Sequence, residues 1–375
     1  MTTSPPRAWA EINLTALDEN LSFIRQHSGQ EVMAILKAGA YGHGLVDLAR
    51  HLDHRELPFF GVANVYEARK LHEAGIRTPI YLLGATFPAE REEVVARGWI
   101  PCFSTLAEID HYVALCEKLD RDLTAHLVID TGMGRGGFLP DQVGEALAYL
   151  ARPACRRLHL TGAGSHLPSA DEDEAFTRDQ FATFDDLAQT HFSRGEKGFR
   201  LHLANSAGLL AYQSATTNLV RPGLLLYGIA PLPAWQEKVR PVMTLKSRLS
   251  LIRPLPAGHG VSYGRTHILP KDTLVGTIGA GYGDGLPRNL SGKDAYVLIR
   301  GQRAPLLGRV TMDQIMVDVS EIDGAQPGDQ VELFGPNLPV TQVAQWADTI
   351  SWEVLTRITP RVTRLYRHDH DPPVE

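Results

Sequence analysis

EVMAILKAGAYGHGLVDLARHL, residues 31–52, joins an apolar run, a loop of small residues and an amphipathic segment. The apolar run at 31–36 is typical of a buried strand, and the leucine spacing after Gly44 is typical of a helix. A strand followed by a helix is the unit from which parallel sheets are built. Lys37 ends the apolar run, although lysines are rarely buried unless they are paired or used in chemistry.

The same unit recurs along the first part of the chain. Apolar, β-rich runs lie at 31–37, 59–64, 79–85, 99–103, 123–130, 158–166, 199–205 and 218–228. Amphipathic helix candidates lie between them, at 44–52, 66–75, 106–119 and 141–151. Eight such units in about 200 residues match a closed (β/α)8 barrel. An open doubly wound sheet is the alternative, but no G-x-G-x-x-G turn follows the first strand.

The pattern changes after residue 232. Strand-like segments follow one another at 242–255, 273–282, 294–301, 303–310, 314–320 and 329–335, and one helical stretch lies at 340–350. The sequence therefore predicts an α/β chain with a (β/α)8 TIM-type barrel over 8–232, a C-terminal mostly-β domain over 233–370 and a tail at 371–375. The early strand at 8–14 can pair with the β domain.

The composition restricts the partners and the compartment. The chain is 43% apolar and 21% charged, as in ordinary soluble proteins. Its net charge of -6, without a basic block, argues against a nucleic-acid partner. Three distant cysteines suit a reducing compartment. We expect a cytoplasmic protein with no membrane partner, because the start does not resemble a secretory signal and no apolar run is long enough to span a bilayer.

Polar residues stand at the predicted C-terminal strand ends, where barrel enzymes carry their chemistry. They are Lys37, Asp130, Arg135, His166, Asn205, Ser206 and Arg221, with Gly223 two residues after Arg221. Each has an ordinary structural explanation when taken alone, such as a snorkelling lysine. Taken together they suit one ligand. A lysine in a water-poor site reacts with an aldehyde, a serine beside a glycine can hold a phosphate, and an arginine can face a ring nitrogen.

Pyridoxal phosphate has an aldehyde, a phosphate and a ring nitrogen, and is therefore the predicted cofactor. A metal hydrolase on the same barrel is the alternative. It would need several histidines and aspartates at strand ends, where only His166 and Asp130 are evident. No metal is predicted.

Ordered motifs along nearly the whole chain resemble the alanine racemase family. They are LKAGAYGHG (36–44), DTGMGRGGF (130–138), SHLPSADE (165–172), LANSAG (203–208), RPGLLLYG (221–228), VSYGRT (261–266), GYGDGLPR (281–288), GRVTMDQIMVDV (308–319) and ISWEV (350–354). The resemblance implies racemisation of L- and D-alanine with pyridoxal phosphate, supplying D-alanine for peptidoglycan. It also implies a head-to-tail homodimer in which each β domain completes the site of the other subunit.

The resemblance assigns two bases and a histidine–arginine pair. Lys37 holds the cofactor as a Schiff base and serves one face of the substrate, while Tyr263 of the partner subunit serves the opposite face. His166 stands beside that tyrosine and is linked to Arg221, whose positive charge favours the phenolate. Arg221 faces the ring nitrogen with His202 behind it. Because arginine does not give up its proton, the ring is a weaker electron sink and transamination is discouraged.

The remaining assignments also come from the resemblance. The cofactor-binding set is Lys37, Tyr41, His166, Asn205, Ser206, Arg221, Gly223, Leu224 and Trp352. The substrate carboxylate is held by Arg135 and the backbone of the partner's Met312, with Asp313 beside it. The channel that leads to the site is matched by Tyr282, Arg288, Arg309 and Asp171.

Four positions depart from the family pattern. Val128 stands where many members carry a carbamylated lysine, so we expect a chloride ion or a nearby carboxylate to orient Arg135. Trp352 replaces a tyrosine, and indole donates only through its N–H, so either a phosphate contact is lost or the inner gate is reshaped. Gly39 replaces an asparagine with unknown effect. Thr311 stands where cysteine or serine also occurs, with little expected consequence.

Three further functional hypotheses compete with alanine racemisation. Trp352 would allow a racemase of broader specificity. A fold-related decarboxylase is disfavoured by Arg221, because those enzymes have an acidic residue facing the ring nitrogen. A non-catalytic cofactor-binding barrel is disfavoured by the β domain with VSYGRT.

Overall fold

The computed structural model describes residues 6–192 and 198–372. The chain forms two compact units. The barrel unit comprises Glu19–Ala40 and Leu45–Val239, and the β unit comprises Met1–Asp18, Tyr41–Gly44 and Arg240–Glu375. The predicted domain boundary between 232 and 233 stays a prediction, as does the tail, of which 373–375 lie outside the described residues.

The elements alternate in the first part of the chain and are mainly strands in the second. The strands are β1 (Ala8–Asn13), β2 (Glu31–Ile35), β3 (Phe59–Val62), β4 (Ile80–Leu82), β5 (Cys102–Phe103), β6 (Leu123–Val128), β7 (Leu158–Gly164), β8 (Arg200–His202), β9 (Leu219–Val220), β10 (Met243–Leu255), β11 (Gly260–Val261), β12 (His267–Ile268), β13 (Thr273–Ile278), β14 (Tyr296–Ile299), β15 (Gln302–Pro305), β16 (Ile315–Asp318), β17 (Gln330–Phe334) and β18 (Thr363–Arg367). The α-helices are α1 (Leu14–Ser28), α2 (Leu45–Leu52), α3 (Val65–Glu73), α4 (Arg91–Arg97), α5 (Leu106–Leu119), α6 (Val143–Leu150), α7 (Glu174–His191), α8 (Ser206–Ala211), α9 (Val340–Trp346) and α10 (Ser351–Thr356).

Eight parallel strands, β2 to β9, close into a ring. β2, β3 and β4 pair in order, as do β5, β6, β7 and β8. A bridge between Tyr81 and Ile100 joins β4 to the start of the β5 segment. The Asn218 N–H donates to the Leu201 carbonyl at 3.0 Å, which joins β8 to β9. β9 returns to β2, so the barrel has no free edge.

The observed strands are shorter than the apolar runs. The run at 218–228 contributes only Leu219–Val220 as strand and continues as a 3₁₀ helix over Leu224–Tyr227. Pro222 has no N–H to donate to a neighbouring strand, which explains the early end. The first run ends its strand at Ile35, so Lys37 follows the strand rather than lying within it.

The β unit is a sheet in the order β15–β14–β17–β10–β1–β18, with β13 pairing to β10 and β16. β1 lies between β10, which is antiparallel to it, and β18, which is parallel. Trp9 and Ile12 on β1 are fully buried. Within the described residues, no helix is long and apolar enough to cross a bilayer.

Candidate active site

Lys37 opens a left-handed turn at the C-terminal rim of the barrel. Ala38, Gly39, Ala40 and Tyr41 all have φ between 53° and 66°. A left-handed conformation costs a residue with a Cβ roughly 1–2 kcal/mol, and only one of these four residues is glycine. Such backbone persists where its surroundings hold it, and it is concentrated at functional sites.

The Lys37 amine lies in a partly buried, positively charged setting. Burial is the largest cause that lowers the pKa of Lys37, and Arg135 and Arg221 lower it further. Glu67 acts in the opposite direction. A lysine with a lowered pKa has a larger fraction of neutral amine, which is the form that attacks a carbonyl carbon.

Arg221 is buried and fixed by several acceptors. Its Nη1 donates to His202 Nδ1 at 2.5 Å and to the His202 carbonyl at 2.9 Å. Its Nη2 donates to the Ser165 carbonyl at 2.6 Å and to His166 Nδ1 at 3.2 Å. Burial lowers the pKa of Arg221 to about 10, so the guanidinium keeps its charge at neutral pH.

These contacts determine the tautomers of the neighbouring histidines. Arginine only donates, so the Nδ1 atoms of His202 and His166 accept and their Nε2 atoms carry the proton. His202 Nε2 then donates to His126 Nδ1 at 2.9 Å. Burial, with Arg221 as a further cause, lowers the pKa of His126 and of His166 to about 3 and that of His202 well below its usual value. The three neutral imidazoles therefore form one hydrogen-bonded network with the charged guanidinium of Arg221.

His126 is a member of this hydrogen-bonded network that the sequence did not indicate. It lies on β6 and is fully buried. The sequence feature that could have indicated His126 is its position four residues before Asp130, in a strand that ends at the same rim. A histidine inside an apolar run has no partner visible in the sequence, because His202 is 76 residues away.

Ser206 has the geometry of an anion-binding hydroxyl. Its Oγ accepts from the N–H of Gly223 at 3.0 Å and of Leu225 at 3.2 Å. Both lone pairs are thereby used, which leaves the O–H to donate. Asn205 is the N-cap of α8: its Oδ1 accepts from the Gly208 N–H and its Nδ2 donates to the Leu167 carbonyl. The side chain of Asn205 thus shapes the turn that presents Ser206, and Leu224 is buried at the start of the adjoining 3₁₀ helix.

A cleft opens over the ends of β4 to β7. It has an empty volume of about 700 Å³, and Cys102, Ser104, Val128, Arg135 and His166 are among the residues that line it.

Arg135 is exposed and forms no ion pair with a carboxylate among residues 6–192 and 198–372. Within that described part of the chain, no carboxylate pairs with Arg135 in place of the carbamylated lysine, and the chloride alternative stays a prediction.

The other predicted site residues belong to the β unit or to exposed loops. Tyr263, on a 3₁₀ turn, is 71% exposed and Met312 is 52% exposed. The Arg309 guanidinium lies beside Gly264, where a Cβ would be 3.0 Å from Nη1. Tyr41 is buried and Trp352 is half-buried on α10, while Tyr282, Arg288 and the barrel-unit residue Asp171 are exposed. Burial raises the pKa of Tyr41 to about 12, so its hydroxyl is a donor at neutral pH.

The buried carboxylate of Asp284, which no sequence pattern indicated, holds the Met312 segment. Asp284 accepts from Arg7 Nη2 at 2.9 Å and from Arg361 Nε at 2.7 Å. Arg361 Nη2 also donates to Asp313 Oδ1 at 2.7 Å, and the Gly283 N–H donates to the Met312 carbonyl at 2.9 Å. Asp284 lies within the GYGDGLPR motif, but its two arginines are distant in sequence and gave no signal.

Comparison with known proteins identifies the family. The alanine racemase N-terminal domain matches residues 12–231, and the alanine racemase C-terminal domain matches 242–366. An alanine racemase of Desulfovibrio desulfuricans is 39% identical over 365 residues, covering 96% of this chain and 97% of that one. The chain therefore belongs to the alanine racemase family.

Solved structures agree with this assignment. Alanine racemase from Clostridium difficile 630 superposes with a TM-score of 0.90 at 30% identity, covering 99% of this chain and 98% of that one. Alanine racemase from Bartonella henselae, with covalently bound pyridoxal phosphate, superposes with a TM-score of 0.87 at 30% identity, covering 97% and 100%. The predicted family, fold class and enzyme class, an isomerase acting on amino acids, are confirmed.

Proposed function

We propose that this protein interconverts L- and D-alanine with pyridoxal phosphate bound at the barrel rim, and so supplies D-alanine for peptidoglycan synthesis. One observation carries the proposal: the Lys37 amine, the Arg221 guanidinium and the Ser206 hydroxyl lie at the ends of strands of one barrel. They suit the aldehyde, the ring nitrogen and the phosphate of that cofactor. The Bartonella henselae relative, whose structure contains covalently bound pyridoxal phosphate, supports the same cofactor.

When bound, pyridoxal phosphate supplies an aldehyde to an amine and a ring that withdraws electrons from the substrate Cα. The Ser206 hydroxyl would donate a hydrogen bond to the phosphate. Tyr41, Gly223, Leu224 and Trp352 would surround the phosphate. Arg221 would donate an N–H to the ring nitrogen without releasing the proton. Its bonds to His202, His166 and the Ser165 carbonyl keep the guanidinium in one orientation.

Racemisation needs a base on each face of Cα, because a proton leaves one side and returns on the other. Lys37 would hold the proton on one face at Nζ, and Tyr263 of the partner subunit would hold it on the opposite face at its phenolic oxygen. The 71% exposure of Tyr263 in the single chain leaves it available to a second copy. We therefore propose a homodimer in which Tyr263 and Met312 complete the partner's site.

Arg135 and the backbone of the partner's Met312 would hold the alanine carboxylate. Tyr282, Arg288, Arg309 and Asp171 would form the channel, and Asp313 would fix the Met312 segment through Arg361. A cytoplasmic location is part of the proposal. It is supported by the three cysteines, which are buried and unpaired in the structure, as is usual in a reducing compartment.

The first experiment compares Lys37→Ala and Tyr263→Phe with wild type. We expect purified wild type to carry the visible absorption of lysine-bound cofactor and to form D-alanine from L-alanine. Lys37→Ala should lose both, and Tyr263→Phe should keep the absorption and lose most of the racemisation. Lys118→Ala and Tyr66→Phe, at exposed positions, are the controls. Cofactor absorption that survives in Lys37→Ala would overturn the proposal.

Mixing the two inactive variants tests the shared site. A mixed dimer has one site with both Lys37 and the partner's Tyr263, and one site with neither. Random exchange of equal amounts should therefore restore about a quarter of wild-type activity. No recovery after subunit exchange, in a mixture whose mixed dimers are verified by mass spectrometry, would show that each chain builds its own site.

A further inference from the structure

Glu67 makes a contact with the segment after Lys37 that capping does not require. α3 begins after the N-cap Asn64, whose side chain accepts from the Glu67 N–H at 3.0 Å. The buried Glu67 carboxylate turns back, and its Oε2 accepts from the Ala63 N–H at 2.9 Å. Its other oxygen, Oε1, accepts from the Gly39 N–H at 3.1 Å. Gly39 is the second residue of the left-handed turn.

A second glutamate in the barrel is built in the same way and lacks this contact. At the start of α5, Thr105 accepts from the Glu108 N–H at 3.2 Å, and Glu108 Oε2 accepts from the Ser104 N–H at 3.0 Å. Glu108 is 4% exposed and Glu67 is 8% exposed. Glu108 Oε1 accepts no hydrogen bond within the described residues, and its nearest cation is Arg91 Nη2 at 3.7 Å. The bond to Gly39 is therefore separate from the helix cap.

The turn needs an external support. Ala38, Ala40 and Tyr41 carry a Cβ and adopt the left-handed region only at a cost. Hydrogen bonds from N–H groups to a carboxylate are stronger than those to neutral acceptors. The Glu67 carboxylate accepts one such bond from Gly39 in the turn and another from Ala63 at the end of β3. Since Glu67 itself lies in α3, the turn is linked to both elements. The direction in which the chain leaves Lys37 is fixed as a result.

We propose that Glu67 is a positioning residue for Lys37: its carboxylate fixes the left-handed turn and adds a negative charge to the electrostatic surroundings of the lysine amine. This inference rests on the proposed role of Lys37, but it concerns a residue to which the sequence assigned nothing. The groups that act electrostatically with the amine are Arg221 after β9, Arg135 after β6 and the neutral His166 after β7. Glu67 is the acidic group that opposes the two arginines in setting the pKa of Lys37.

The matched variants are Glu67→Gln and Glu108→Gln. The glutamine at 67 removes the charge and keeps only one acceptor oxygen, so one of the two N–H groups faces an amide donor. At 108, where one oxygen is already without a hydrogen bond, the same change leaves the turn after Lys37 untouched. Glu67→Asp is the third variant, because it keeps the charge on a side chain that is too short to reach both N–H groups.

Two measurements use the full-length, cofactor-free chain and need no racemase activity. The first is acetylation of the Lys37 amine by acetic anhydride against pH, quantified by mass spectrometry. The second is amide hydrogen exchange of the peptide that contains Gly39. We expect Glu67→Gln to move the Lys37 labelling midpoint to lower pH and to raise exchange at Gly39 at least tenfold. Glu108→Gln should match wild type in both, and Glu67→Asp should raise exchange while its labelling midpoint stays near that of wild type.

The outcomes separate this inference from the proposed function. In the cofactor-loaded protein, Glu67→Gln should lower kcat for alanine on the order of tenfold with little change in KM. If wild type racemises alanine but neither labelling nor exchange changes in Glu67→Gln, the positioning role is wrong and the proposed function stands. If both measurements change in a protein that racemises nothing, the positioning role stands and the proposed function fails. Equal effects in Glu67→Gln and Glu108→Gln would show that Glu67 acts only as part of the helix cap.

Discussion

At the scale of single residues, Arg135 is the group whose surroundings differ most from the expected pattern. Val128 supplies no charge, and no carboxylate of the described chain pairs with the guanidinium. An exposed arginine without a fixed partner samples many rotamers, and holding it for a substrate carboxylate costs side-chain entropy. A small anion beside Val128 would reduce that cost.

We therefore expect the KM for alanine to depend on chloride. Replacing chloride by gluconate at constant ionic strength should raise KM severalfold and leave kcat nearly unchanged, because Arg135 binds the carboxylate equally in the ground and transition states. Val128→Glu, which supplies a fixed negative charge, should remove the dependence. Equal KM values in the two salts, with no halide peak near Arg135 in an anomalous map, would contradict this.

The sequence indicated candidate site residues at the strand ends, but it did not indicate most of the contacts that hold them. Lys37, Arg221 and Ser206 were evident because each lies in or directly after an apolar run. His126, Glu67 and Asp284 were not evident, because their partners are distant in sequence and burial alone gives a polar residue no recognisable pattern. The link between His166 and Arg221 came from family resemblance rather than from the residues themselves.

At the scale of elements, the left-handed turn is the feature that periodicity could not reveal. Strand and helix patterns follow from side-chain spacing, and the apolar runs accordingly located β2 to β9. The hand of a four-residue turn depends on backbone contacts. Only Gly39 among the four residues hints at it, since glycine tolerates positive φ.

Two substitutions in this turn should change stability in opposite directions. Ala38→Gly should stabilise the chain by about 0.5–1 kcal/mol, because relief of the left-handed strain exceeds the entropy that glycine adds to the unfolded state. Gly39→Ala should destabilise it by roughly 1–2 kcal/mol, although a Cβ there would meet nothing within 4 Å. Urea unfolding of the cofactor-free protein measures both. A change of the same sign in both variants would argue that φ does not govern this turn.

At the scale of the whole molecule, the buried histidines should make stability depend on pH. The pKa values of His126 and His166 are lowered to about 3, and that of His202 is lowered as well. An unfolded histidine binds a proton near pH 6.5, so below that pH the unfolded state holds more protons than the folded state. Stability is therefore complete above about pH 6.5 and falls as the pH drops towards 3, by about 1.4 kcal/mol per pH unit for each histidine.

Urea midpoints between pH 8 and pH 4.5 measure this dependence. We expect a plateau above pH 7 and a steep decline below pH 6. His126→Leu should be less stable at pH 8 but should show a shallower decline, since one proton fewer is taken up on unfolding. A wild-type midpoint that rises on acidification would contradict the assignment of neutral histidines.

The placement of β1 affects how the protein is made. Trp9 on β1 pairs with Lys246 and Thr363, which follow it in the chain by more than 230 and more than 350 residues. The barrel ring closes between Glu31 and Leu219, so all of its strands are synthesised before β10 and β18. During that time β1, with Trp9 and Ile12, lacks both β10 and β18 as strand neighbours. The nascent chain therefore carries an unpaired apolar strand while the barrel is being made, and such strands are prone to aggregation and are shielded by chaperones.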